Sequence, residues 1–112
     1  KMNMLSAREI REIGIRKTCE EVLKKMSAFE NIYITIDIDG LDPAYAPGTG
    51  TPQFGGLASR ELLDMLYEFF KLSIVGMDIV EVAPPLEASS IALFAARKIV
   101  TECWGHYWRK RK

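Results

Sequence analysis

The spacing of apolar residues changes character several times along the chain. Ser6-Ala7-Arg8-Glu9 has the Ser-x-x-Glu form of a capping box, which predicts a short helix that Gly14 then breaks. Ile15, Cys19, Val22, Leu23 and Met26 recur at helical spacing and predict an amphipathic helix ending near Ser27. Over residues 32–39 the pattern becomes β-branched on both faces, with Ile32, Ile34, Ile36 and Ile38 set against Tyr33 and Thr35. That suits a strand covered on two sides, as in a parallel sheet. A loop from about 40 to 57 follows, rich in glycine and carrying Pro43, Pro47 and Pro52. Loops of that length are often binding loops. Residues 59–71 read as a helix with Leu62, Leu63, Leu66, Tyr67 and Phe70 on its apolar side. Residues 73–81 read as a second buried strand, stopped by Pro84-Pro85. Residues 88–104 complete the pattern as a helix built on Ile91, Ala95, Ile99, Val100 and Cys103.

A strand, a crossover helix and a second strand imply an α/β fold whose two strands are parallel and joined right-handedly. Asp37 and Asp39 end the first strand, and Glu81 ends the second. Those ends share one edge of a parallel sheet, where ligand sites of open α/β folds form. Two residues apart on a strand, Asp37 and Asp39 project together, with Cα atoms about 7 Å apart. Unpaired carboxylates in an apolar setting are costly, so the pair calls for cations. Oxygen ligands suit hard ions such as magnesium or manganese. Two acids cannot complete an octahedral site. Asp42 precedes Pro43 and reads as a turn organiser through an Asx-type bond. Asp78 stands at an odd offset from Glu81, faces the other side of the strand, and reads as structural. His106 falls past the expected last helix and reads as a terminal surface or interface residue rather than a ligand.

At 112 residues the chain is one domain or part of one. No apolar run approaches the roughly 20 residues of a membrane span. The start, with Arg8, Glu9, Arg11 and Glu12, does not resemble a signal peptide. Cys19 and Cys103 lack metal-ligand spacing and read as buried reduced thiols of a cytoplasmic protein. Net charge is zero, but residues 31–87 carry nine acids and two bases, and residues 88–112 carry six bases and one acid. A concentrated acidic middle favours metal ions or a cationic ligand over nucleic acid. The basic end, Arg109 to Lys112, reads as a solvated tail rather than a nucleic-acid or membrane-surface contact. Trp104, Tyr107 and Trp108 stand just before it.

A bare Asp-x-Asp pair is weak evidence of chemistry, but the longer pattern is dense. Thr35-x-Asp37-Ile38-Asp39 is followed by Pro43, by Pro47-Gly48-Thr49-Gly50-Thr51-Pro52, and by Gly55-Gly56-Leu57 with Arg60-Glu61. Gly76-x-Asp78-x-x-Glu81-Val82-x-Pro84 then precedes an alanine-rich last helix, and Glu9-Ile10-Arg11-Glu12 with Gly14-Ile15 fits upstream. This closely resembles the ureohydrolase family, which includes arginase and agmatinase. The resemblance covers nearly the whole chain. The family's two earlier histidine-bearing motifs, Asp-Ala-His-x-Asp and Gly-Gly-Asp-His, are absent from these residues. Residues 1–112 therefore look like the carboxyl-terminal portion of a single ureohydrolase domain, without its upstream metal-binding half. The implied fold is part of a three-layer α/β/α sandwich with a parallel sheet.

Carried onto this sequence, the resemblance implies that Asp37 bridges two manganese ions and that Asp39 ligates one of them. It implies substrate contact by Thr51 and by Glu81, with Glu81 facing the guanidinium of a small cationic guanidino substrate. Four further ligands would lie upstream. The implied reaction is attack of metal-generated hydroxide on the guanidinium carbon, releasing urea and an amine. Ala46-Pro47-Gly48 and Glu81-Val82-Ala83-Pro84-Pro85 look more like agmatinase than arginase, which implies agmatine converted to putrescine. The family also implies a homo-oligomer, a trimer or hexamer, with Trp104, Tyr107 and Trp108 packing on a neighbouring subunit.

Two other readings compete. Asp37-Ile38-Asp39-Gly40 resembles the first motif of haloacid-dehalogenase-type phosphatases. That motif usually continues with Thr, where Leu41-Asp42-Pro43 stands here, and the loop to Gly56 has no place in it. The chain could instead be a non-catalytic structural or assembly fragment. With two of six expected ligands, it is expected to be inactive alone.

Overall fold

The computed structural model describes residues 3–111, and side chains as far as Arg109. Lys110, Arg111 and Lys112 of the expected basic tail thus lie outside the described side chains. The element order is α1 (Ala7–Ile13), α2 (Ile15–Met26), β1 (Ile32–Asp37), a 3-10 turn (Ile38–Gly40), α3 (Ser59–Phe69), β2 (Ile74–Val80), a second 3-10 turn (Pro84–Leu86) and α4 (Ile91–Arg111).

The start of α1 is the reciprocal capping box that Ser6 and Glu9 predict. Ser6 Oγ accepts from Glu9 N at 3.2 Å, and Glu9 Oε2 accepts from Ser6 N at 2.7 Å. Gly14, at φ 88°, caps α1 and turns the chain directly into α2. At the start of α3, Glu61 reaches back to accept from Ala58 N at 2.7 Å.

β1 and β2 form a parallel pair in which Thr35 lies opposite Asp78, Ile36 opposite Ile79 and Asp37 opposite Val80. The inward face carries Ile36, followed by Ile38 in the turn. These join Leu66 and Phe70 of the α3 region and Ala92, Ile99 and Cys103 of α4 in the main core. A second, smaller cluster joins Ile10, Cys19 and Met65, so α3 contributes to both. Full burial of a side chain such as Leu66 contributes roughly 1.5–3 kcal/mol before entropy is counted.

Several expectations are corrected here. Within the described residues the outer face of the first strand is open, with Tyr33, Thr35 and Asp37 exposed, which leaves the expected second cover untested. Part of that outer face is shielded by its own ring. Tyr33 lies across Gly76, where an added Cβ would meet the ring at 2.7 Å, and its hydroxyl donates to Asp78 Oδ2 at 3.2 Å. The strand also ends two residues early, where Ile38–Gly40 form a 3-10 turn capped by the Asp37 side chain, and Ile38 stays on the inward side at 0% exposed. The final helix starts later and runs longer than its apolar spacing suggests. His106 therefore lies inside α4, not beyond it. Its side chain is 9% exposed and packs against the rings of Tyr67 and Phe70 at 5.3 and 5.7 Å between centroids. Trp104 and Trp108 stack 6.2 Å apart on α4, each more than half exposed. Both cysteines are buried and free, and burial pushes the Cys103 thiol up to about 11. Among the described residues no helix is long and apolar enough to cross a membrane.

Candidate functional site at the carboxyl edge of the sheet

Asp37 is the last residue of β1, and Asp39 sits inside the 3-10 turn that follows. Strand alternation therefore does not aim this pair. A local bond does: Asp37 Oδ1 accepts from Asp39 N at 3.1 Å, an Asx-type link that folds the two acids around one turn. Asp37 is exposed and Asp39 half-buried. Thr51, twelve residues on, donates its hydroxyl to Asp39 Oδ2 at 2.6 Å. The structure thus brings Asp37, Asp39 and Thr51 together.

The intervening loop is closed by its own backbone. Leu57 N donates to Gly40 O at 2.9 Å, and Asp42 N donates to Leu57 O at 2.9 Å. Gly56 is required at this closure. A Cβ there would stand 2.6 Å from Asp42 N and 2.7 Å from Leu41 C, both backbone atoms that cannot swing aside. Asp42 organises the interior of the loop as its place before Pro43 suggests. Its Oδ1 accepts from Ala44 N at 3.0 Å and its Oδ2 from Gly55 N at 2.9 Å. Those backbone donors, Ala44 first, hold its carboxyl below the usual aspartate range, with a smaller pull from Arg11.

Glu81 directly follows Val80, the residue paired with Asp37, and so stands at the same edge of the sheet. Its backbone is in the left-handed region at φ 64°, and its side chain is exposed. A non-glycine residue held there costs on the order of 1–3 kcal/mol, and such strain gathers at functional sites. Behind it, Ala83 N donates to Gly48 O at 2.8 Å, tying the end of β2 to the loop. Sequence reasoning missed the neighbour that packs on this link, Glu87. Its signal was available, since an acid just ahead of a periodic apolar run marks a helix start. Beginning the last helix at 88 hid it.

The donor chemistry fits part of a hard-cation centre. Asp37 and Asp39 offer carboxylate oxygens from one turn, which suits magnesium or manganese. Among the described residues no group of three or more His, Cys, Asp or Glu side chains could hold a metal ion. These two acids would supply some ligands of a centre and leave the rest to other residues. Asp78 stays outside this set. Its Oδ2 bonds to Tyr33, while Oδ1 is buried with no partner among the described residues.

A parallel α/β unit with acids, a glycine-rich loop and a strained glutamate on its carboxyl edge has the layout in which ligand sites of open α/β folds form. Comparison with known proteins makes this specific. The profile of the arginase family matches residues 1–105. The agmatinase of Chromobacterium violaceum is 43% identical over 101 residues, which is 90% of this chain and 31% of that protein. Among solved structures, a hypothetical agmatinase from Burkholderia thailandensis superposes with a TM-score of 0.89 at 39% identity, over 98% of this chain and 34% of that one. Arginase from Bacillus subtilis gives 0.87 at 33% identity, over 93% and 37%. The chain belongs to the arginase family and has the arginase-like α/β fold. It spans about a third of the length of these relatives.

Proposed function

We propose that this chain is the carboxyl-terminal portion of a manganese-dependent ureohydrolase that splits a small guanidino compound into urea and an amine, with agmatine giving putrescine as the best candidate. The observation that carries the reading is the Thr51–Asp39–Asp37 chain of hydrogen bonds at a sheet edge that also presents Glu81. Agmatinases among the most similar curated relatives support the substrate.

In this reading Asp37 and Asp39 hold metal, and two bound ions would lower the pKa of a water to give a nucleophile near neutral pH. Glu81 receives the guanidinium through charge-assisted hydrogen bonds, which orient its carbon toward the acid pair. Thr51 fixes the carboxylate plane of Asp39 and stands at the substrate side of it. The left-handed backbone at Glu81 directs its side chain independently of strand alternation. The remaining ligands come from residues outside this chain, so the 112-residue chain alone is inactive. The protein acts as a homo-oligomer, a trimer or hexamer, in the cytoplasm, without nucleic acid or membrane.

The test is urea release from agmatine by the full-length protein containing this chain, loaded with manganese, beside the 112-residue chain treated identically. Urea from the full-length protein only is the expected result. A phosphoaspartate trapped on Asp37, with no urea formed, would replace this reading with the phosphatase one. Urea from the short chain would overturn its inactivity.

A further inference from the structure

The loop that carries Thr51 and the turn behind Glu81 are joined at Gly48, and one side chain lies against that junction. Glu87 Oε1 accepts from Ala92 N at 2.6 Å, and Oε2 accepts from Ser89 Oγ at 2.8 Å. The first bond satisfies a donor at the start of α4. The same arm runs flat over Gly48. A Cβ at position 48 would stand 2.6 Å from Glu87 Oε1 and 2.8 Å from its Cδ and Cγ. Gly48 is buried, and its carbonyl holds Ala83 N, two residues past Glu81. Ala92, whose amide anchors the arm, is 0% exposed and belongs to the main core with Ile38 and Ala46. The arm thus runs from a fixed point of the core to a backbone link between the two limbs of the site.

We infer that Glu87 is a positioning residue: anchored on α4, it clamps Gly48 against Ala83 and thereby sets Glu81 relative to the Thr51–Asp39 pair. A cap alone would need only the Ala92 bond. The packing on Gly48 adds the second function, because losing the arm opens space beside the Gly48–Ala83 link. The clamp itself is independent of the reaction. Its effect on substrate rests on the ureohydrolase reading above.

Two measurements on the full-length protein separate these. Hydrogen exchange is followed in peptides covering residues 47–51 and 81–84. In Glu87→Ala, exchange rises about tenfold or more in both, with α2 unchanged. Glu87→Gln, which keeps the length of the arm and an acceptor for Ala92 N, stays near wild type. Gly48→Ala alone also raises exchange, by driving the arm aside. Added to Glu87→Ala it has little further effect, since the obstructed space is then vacant. Equal effects of Gly48→Ala in both backgrounds, or unchanged exchange in Glu87→Ala, would overturn the clamp. With agmatine and manganese, Glu87→Ala raises KM about fivefold or more, and kcat changes far less. Faster exchange with unchanged KM would overturn the positioning of Glu81. Absence of turnover in the wild type would reject the ureohydrolase reading, and the exchange data would still decide the clamp.

Discussion

The Thr51 hydroxyl donates to Asp39 Oδ2 at 2.6 Å, so the far limb of the loop holds one of the two acids at the end of β1. Partners of this kind orient a ligating carboxylate, and their loss typically weakens metal affinity about 10–100-fold. Thr51→Ala in the full-length protein is expected to weaken manganese binding by that amount, and Thr51→Ser to retain most of it. Titration calorimetry with manganese checks both.

Asp37→Ala and Asp39→Ala are expected to abolish both manganese retention and urea formation. Glu81→Gln should behave differently, because it keeps the shape of the side chain and loses its charge. A hydrogen bond to a charged group contributes about 1.5–3 kcal/mol, so KM for agmatine should rise about 10–100-fold with metal content unchanged. Metal analysis beside steady-state kinetics distinguishes the two classes of variant.

Gly56 and Gly50 stand in the same loop and should respond oppositely to alanine. At Gly56 the added methyl meets the Leu41–Asp42 backbone, and the expected loss is about 1–3 kcal/mol. At Gly50 nothing lies within 4 Å, and the change should stay within about 0.5 kcal/mol. Denaturant midpoints of the two variants test the contrast.

His106 makes stability depend on pH. Burial between Tyr67 and Phe70 first, and then the Arg109 charge, hold its imidazole below the ordinary value of 6.5, against an opposing pull from Glu102. The unfolded chain therefore binds a proton that the folded chain resists. This contribution to stability is complete above the unfolded value and is lost as pH falls through it toward the folded one. His106→Phe should flatten that part of the stability profile. Midpoints measured between about pH 7 and pH 5 show whether it does.

Much of the fold was legible because local chemistry and tertiary structure agree. The Ser6–Glu9 box, the apolar faces of α2 and α3 and the β-branched run of β1 each form the element their pattern predicts. Asp42 was legible for the same reason, since its partners Ala44 and Gly55 belong to its own loop. What escaped depends on contacts between segments distant in sequence. The packing of Ile38 beside Leu66, Phe70 and Ile99 depends on where α3 and α4 return, which strand spacing does not record. His106 is buried because α4 continues past Cys103 and lays the ring on Tyr67 and Phe70. Glu87 acquires its contact from Gly48, 39 residues earlier in the chain. Periodicity carries no record of such meetings.

Leu57, which closes the loop on Gly40, packs against both hydrophobic clusters at once. Arg11 of α1 reaches the same point, donating to Gly56 O at 3.4 Å. The small cluster at Ile10, Cys19 and Met65 thus lies directly against the root of the loop, at a distance from its acids. Substitutions at those remote positions therefore offer a way to disturb the seating of the loop while leaving its carboxylates in place.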